Sequence, residues 1–121
     1  MKYMLLIYHD EQDWHGQTAP EHQAIYNEYR ELIQELQAGG KYLAGDQLQA
    51  ATTASSVRVR NGKQMVTDGP FAETREQLGG FFMVEAKDLD EARSIAARIP
   101  SARTGTIEIR PVMETARPAS A

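Results

Sequence analysis

Two apolar segments that do not alternate with polar residues constrain the fold of this chain more than any other feature. They are residues 3–8, near the start, and residues 81–84, in the second half. A strand with one face in water alternates apolar and polar residues, whereas a strand covered on both faces is apolar throughout. The sequence therefore predicts a sheet whose strands 3–8 and 81–84 are covered on both faces.

Two amphipathic helices are predicted, one after each of these strands. Thr18 and Glu21 have the spacing of a capping box, and the helix that they start ends at Gly39-Gly40. Asp88 and Glu91 repeat that spacing at the start of a second helix. Each helix carries one apolar stripe, which indicates that it packs against a single face of a sheet.

A β-hairpin is predicted between the two halves of the chain. Val57 and Val59 alternate with arginines, and Asn61-Gly62 follows, the strongest short-range hairpin signal because both turn positions need a positive φ. Shorter strands are expected at 42–47 and 107–110. Three polar segments are predicted to be loops, namely 9–19, 48–55 and 68–78.

The resulting order, β-α-β, hairpin, β-α-β, predicts an α+β domain with a ferredoxin-like fold, that is, two split β-α-β units, and an inserted hairpin. Two helices cover only one face of a four-stranded antiparallel sheet. We therefore predict a homodimer whose sheets face one another, a dimeric α+β barrel. The alternative is that the hairpin folds over the open face. The domain is expected to span 1–113, with a flexible tail at 114–121.

Composition excludes several classes of function. The formal net charge is -4, from 17 acidic and 13 basic residues, which argues against direct binding of nucleic acid. The chain has no apolar run near 18 residues, so no membrane segment is predicted. It has no cysteine, which excludes disulfides and thiolate chemistry, and a cytoplasmic location is expected.

Residues 66–82, VTDGPFAETREQLGGFF, resemble the DGPF-type branch of the YCII-related family. The opening MKYMLLIY and the segment IEIRPV at 107–112 are similar to that family too, so the resemblance covers residues 1 to about 114. It implies a ferredoxin-like subunit in a dimeric α+β barrel. In the wider family a His–Asp pair near a pocket is taken as a catalytic dyad, and one relative is a dehydrochlorinase acting on a chlorinated aromatic. Genomic neighbours of the branch imply a link to extracytoplasmic-function sigma factors.

His22 and Asp68 are the predicted catalytic pair. Asp68 is expected at a strand end, before the stiff turn Gly69-Pro70, and His22 lies in the first turns of the first helix. If both face inward, the carboxylate orients the imidazole and the free ring nitrogen accepts a proton. The alternatives are an Asx turn at Asp68 and a surface histidine at the helix start. The dyad histidine of the wider family lies in the same helix, so the resemblance supports His22 by position.

Other candidate residues surround a predicted ligand pocket. The cluster at 9–15 contains two histidines and three carboxylates, but its spacing favours a solvated loop, so no metal is predicted. Arg75, in the polar connection 68–78, is expected either to hold an anionic ligand or to form a surface ion pair. Trp14 is predicted to close a pocket or pack at the dimer seam. The residues predicted to contact ligand are Tyr8, Trp14, Tyr26, Gly69, Pro70, Phe71 and Arg75.

Two functions are predicted from these features. The first is a small-molecule-binding or regulatory dimer, with an association with a sigma factor as its protein partner. The alternative is a cofactor-independent lyase or isomerase, in which His22 abstracts a proton and Asp68 orients it. No dinucleotide fingerprint or phosphate loop is present, so no cofactor is expected.

Overall fold

The structure is a computed structural model that describes residues 1–114. Apart from Glu114, the predicted tail at 114–121 lies outside these residues. The elements follow one another along the chain as β1 (Lys2–His9), α1 (Glu11–His15), α2 (Ala19–Ala38), β2 (Tyr42–Gln47), β3 (Ser55–Arg60), β4 (Lys63–Asp68), β5 (Gln77–Glu85), α3 (Leu89–Arg98) and β6 (Thr106–Pro111).

Four strands form one antiparallel sheet in the order β2-β5-β1-β6. This order is compatible with the ferredoxin-like fold predicted from the sequence. The two β-α-β units are β1-α2-β2 and β5-α3-β6, and their first strands, β1 and β5, lie side by side in the centre of the sheet. The two central strands are the non-alternating apolar segments. Strands β3 and β4 pair only with each other, as a separate two-stranded sheet.

The helices begin where their caps predict. The Thr18 hydroxyl accepts from the Glu21 N–H, and the Glu21 carboxylate accepts from the Thr18 N–H, both at 3.3 Å. The Asp88 carboxylate accepts from the Glu91 N–H at 2.9 Å and starts α3. Past the end of α2, Gly40 has a φ of +71°, which reverses the chain toward β2. The predicted starts of both helices and the predicted end of the first are confirmed.

Helices α2 and α3 pack on the same face of the sheet. Leu5 and Val84 on the sheet and Ile99 after α3 are almost fully inaccessible to solvent. The opposite face keeps partial exposure at the alternating positions of the two central strands, which are Met4, Leu6, Tyr8, Phe81 and Met83. One copy of the chain therefore buries the helix-facing side of its two central strands along most of their length and covers their other side only in part.

The hairpin does not cover that second face. Val57, Val59 and Val66, on one side of the ribbon, are 58%, 61% and 56% exposed, and the arginines on the other side are exposed as well. A hairpin folded over the sheet would bury one of its sides. The alternative in which the hairpin closes the open face is therefore not the arrangement of this chain.

The connection 9–19, predicted to be a loop, contains the short helix α1. Asp10 caps it by accepting from the Gln12 N–H at 2.9 Å. A helix of five residues is too short to show a hydrophobic periodicity. Its local signal is the capping aspartate, followed by Glu11 and Asp13 in the first turn. Within the described range, no helix is both long and apolar enough to cross a membrane.

Candidate functional site: an aromatic cavity under helix α2

A cavity of about 310 Å³ lies between the sheet and helix α2. Ile25, Tyr29 and Ile33 recur every four residues along α2, so their side chains form one face of the helix over the sheet. Trp14 from α1 and Tyr26 add further aromatic surface to the wall. The sheet side is formed by Ile7, His9, Tyr42, Gly45, Gly79, Gly80 and Phe82.

Glycines on β2 and β5 make room for two of the lining side chains. A Cβ atom added at Gly79 would lie 2.6 Å from the Nε2 atom of His9, and one added at Gly45 would overlap the Tyr42 hydroxyl. Gly79 has no partner on β1, because the register shifts so that Ile7 faces Gly80 while Tyr8 faces Leu78. This bulge places a residue without a side chain next to the imidazole.

Trp14 is held in the wall by His22. The two rings stack with centroids 3.9 Å apart and an interplanar angle of 11°. His22 Nε2 also lies 2.7 Å from the Trp14 main-chain oxygen, and because a carbonyl only accepts, this imidazole carries a proton on Nε2. Tyr26 contacts the indole edge-on at a centroid distance of 5.6 Å.

Two of the phenols that line the cavity, Tyr29 and Tyr42, have a raised pKa and are protonated at neutral pH. Burial raises the pKa of Tyr29, although its hydrogen bond with the Ser101 hydroxyl at 2.7 Å and the charge of Arg103 oppose the shift. Burial also raises the pKa of Tyr42, and the charge of Asp46 adds to the increase. These phenols therefore act as hydrogen-bonding groups at neutral pH and not as bases.

Sequence comparison supports the predicted resemblance to a known family. The model of the YCII-related domain matches residues 1–116. The chain belongs to the YCII-related family. It is 33% identical over 114 residues to an uncharacterised protein of Rhizobium meliloti (strain 1021), and the match covers 93% of this chain and 92% of that relative. The predicted membership in the YCII-related family is confirmed, and the DGPF-type branch stays a prediction.

His22 and Asp68 do not meet within this YCII-related chain. His22 bonds the Trp14 carbonyl, whereas Asp68 is an exposed residue at the end of β4, opposite Ser55. No hydrogen bond to the Asp68 carboxylate is present among residues 1–114, so neither the dyad nor the Asx turn is formed there. The catalytic roles of both residues stay predictions.

Of the residues predicted to contact ligand, Trp14 and Tyr26 line the cavity. Tyr8 points to the opposite face of the sheet, where its hydroxyl donates to Glu108 at 3.4 Å. The turn residues close the base of the hairpin, since the Gly69 N–H donates to the Ala54 carbonyl at 2.7 Å. The other predicted contacts, Pro70, Phe71 and Arg75, are exposed to solvent.

The charged cluster at 9–15 is divided among separate tasks. Asp10 caps α1, and the Glu11 carboxylate accepts from the Ala51 N–H at 2.8 Å, which ties α1 to the segment before the hairpin. His15 is exposed, while His9 turns into the cavity. No metal-binding group of three or more His, Asp or Glu residues occurs in the described part of the chain.

Sequence reasoning did not select His9, Tyr42, Gly45 or Gly79 for the site. In the sequence His9 begins a run of polar residues, although it is the last residue of β1 and follows the inward parity of Leu5 and Ile7. A usable signal was present in Gly79-Gly80, because paired glycines inside an apolar strand indicate a bulge or a close approach by another group.

Proposed function

We propose that this protein binds a small, flat, largely apolar molecule of one ring or two fused rings in the aromatic cavity. The observation that carries the proposal is the composition of the wall, where Trp14, Tyr26, Tyr29 and Phe82 surround a space of about 310 Å³. Ligand cavities fall between about 300 and 1,000 Å³ and combine apolar walls with a few placed polar groups. A volume at the lower limit of that range favours a single-ring compound.

Trp14 supplies a direct test, because it is the only tryptophan of the chain and its indole N–H gives a single, separate NMR signal. We expect toluene and p-cresol at millimolar concentration to shift this signal saturably. Ile33→Phe fills the cavity and should abolish the shift. Leu89→Phe, an equivalent enlargement at an exposed position of α3, should leave it unchanged. Absence of a saturable shift with both compounds would contradict the proposal.

We also propose that the protein works as a homodimer in which the half-covered sheet faces pack together. This proposal is supported by the five partly exposed apolar residues on that face and by the exposed apolar side of the hairpin. Phe71, in the connection after the hairpin, is 82% exposed and is a further large apolar side chain open to a partner. A second copy is the partner that symmetry supplies most simply.

Three narrower predictions continue to rest on sequence. These are the lyase or isomerase activity, the association with a sigma factor, and the cytoplasmic location. For the lyase or isomerase, His22 would have to accept a proton on Nδ1, since its Nε2–H is donated to Trp14. Purification of the tagged protein from its own host, with the sigma factor sought among the captured proteins, tests the second prediction.

A further inference from the structure

Four polar side chains in the cavity wall have no hydrogen-bond partner among residues 1–114, and the indole of Trp14 and the carboxylate of the exposed Asp46 are two of them. The other two lie against glycines of the sheet. They are the imidazole of His9, at the end of β1, and the hydroxyl of Tyr42, at the start of β2. The neighbouring phenols are engaged: Tyr29 with Ser101 at 2.7 Å, and Tyr26 as acceptor from the Gln47 amide at 3.3 Å. Both side chains are half-buried, so water or a ligand can reach them and supply the missing bond.

Glycines of the sheet leave room for both of these side chains. Gly79 lies against the His9 ring, where a Cβ atom would be 2.6 Å from Nε2. Gly45 lies against the Tyr42 hydroxyl in the same way. The His9 imidazole and the Tyr42 hydroxyl thus pack against glycines of two different strands, β5 and β2, and both line the same cavity.

We propose that His9 and Tyr42 are the groups that select the ligand by hydrogen bonding, and that the ligand is a ring compound bearing a hydroxyl of the phenol or enol type. Tyr42, a protonated phenol, donates to the ligand oxygen. His9 accepts the ligand O–H through a ring nitrogen that is not protonated. A hydroxyl both donates and accepts through a single oxygen, as this pair of partners requires. This inference rests on the proposed function of the cavity and adds the chemistry of the ligand to it.

The test compares p-cresol with its methyl ether, 4-methylanisole, and with toluene, using the Trp14 indole signal. These probes share one ring and differ in whether the substituent both donates and accepts, only accepts, or does neither. We expect the wild-type protein to bind p-cresol about 3- to 10-fold more tightly than 4-methylanisole, the range expected for one net hydrogen bond. Tyr42→Phe should weaken both oxygen compounds and leave toluene unchanged.

Two independent variants remove the acceptor. His9→Phe keeps a ring and loses both nitrogens, and Gly79→Ala displaces the imidazole by the added methyl group while touching only the end of a side chain. Both should bind 4-methylanisole as the wild type does and lose the preference for p-cresol. His15→Phe, at the exposed end of α1, is the matched control and should keep the preference.

The outcomes separate this inference from the proposed function. If all three probes bind the wild type with equal affinity, or if His9→Phe and Gly79→Ala keep the preference for p-cresol, the cavity binds rings but His9 does not select them, and the inference is wrong. If no probe shifts the Trp14 signal, the proposed function fails and the inference fails with it.

Discussion

The His22 imidazole lies flat against the Trp14 indole at a centroid distance of 3.9 Å and also donates its Nε2–H to the main-chain oxygen of the same residue. One side chain therefore fixes both the ring and the backbone of another. Trp14 lines the cavity and His22 does not, so His22 acts on the cavity by holding the Trp14 side chain in position. The residue that sequence patterns favour as a proton acceptor thus acts first as a support for the candidate site.

Replacement of His22 tests this support. We expect His22→Ala to destabilise the protein by about 1–2 kcal/mol, from the lost ring stacking and the lost hydrogen bond. Trp14 should gain solvent exposure, so its fluorescence emission should move to longer wavelength. His22→Phe keeps the stacking and should recover part of the stability, while His15→Ala should change neither quantity. A His22→Ala variant with unaltered emission would show that Trp14 is held by other contacts.

The tyrosines of the cavity give a pH dependence with a definite sign. The pKa values of Tyr29 and Tyr42 are raised above 10 by burial, so the folded protein keeps protons that the unfolded chain loses. The stability is therefore complete below about pH 10 and falls as the pH rises above it. Urea unfolding between neutral and strongly alkaline pH should show this decline, and it should be weaker in Tyr29→Phe and in Tyr42→Phe.

Tyrosinate absorbance provides a second check on the same groups. The chain has five tyrosines, and titration of the folded protein should show a late component that is smaller in each of the two variants. Tyr8→Phe, on the other face of the sheet, is the control. If all five phenols titrate together near pH 10, the burial of Tyr29 and Tyr42 in solution is less than in this structure.

The fold could be predicted from the sequence because its signals are local. Thr18 with Glu21 and Asp88 with Glu91 mark helix starts through hydrogen bonds that span only three residues. The apolar run 3–8 becomes a central strand because every second side chain faces the helices. These features depend on spacing along one segment, so they can be read without knowing the tertiary structure.

The candidate site could be predicted only in part, because it depends on contacts between distant segments. His9 is an unremarkable polar residue until the bulge in β5 brings Gly79 beside it. The segment 66–82, which carries the family resemblance, contributes to the candidate site near its C-terminal end. There the Gln77 side chain accepts from the Glu11 N–H at 3.1 Å and donates to the Thr74 carbonyl at 2.6 Å.

The proposed dimer predicts that one substitution on the half-covered face changes the oligomeric state. Leu6 pairs with Glu108 on β6 and with Phe81 on β5, and it is partly exposed in one copy. Leu6→Lys places an ammonium beside Glu108, which a single copy tolerates. In a dimer with packed sheet faces the same charge would be buried, which is strongly unfavourable. We expect light scattering to give a dimer for the wild type and a monomer for Leu6→Lys.

The dimer prediction has its control on the other surface of the molecule. Ala97→Lys, on the exposed side of α3, adds the same charge away from the sheet and should leave the dimer intact. A wild-type protein that is monomeric throughout the accessible concentration range would contradict the proposal directly. A dimer that persists in Leu6→Lys would place the interface on another surface, such as the hairpin.

Two glycine variants are expected to differ in stability for a geometric reason. An added Cβ at Gly105 would overlap the main-chain oxygen of Tyr8, so the backbone itself must move in Gly105→Ala. At Gly79 the conflict is with the end of the His9 side chain, which can rotate away. We expect Gly105→Ala to cost about 1–3 kcal/mol, the usual cost of overpacking, and Gly79→Ala to cost clearly less. Thermal or urea unfolding of the two variants measures the difference, and equal losses would mean that the His9 ring cannot leave its place.

The central claim, that a ring compound binds between the sheet and helix α2, is tested most directly by intermolecular NOEs between p-cresol and methyl groups of the protein. The exposed apolar side of the hairpin offers an apolar molecule a place to bind that competes with the cavity. We predict NOEs from the p-cresol ring protons to the methyl groups of Ile25 and Ile33 and to the Trp14 ring. NOEs to Val57 and Val59 in their place, or none to any of these residues at saturating p-cresol, would contradict the account.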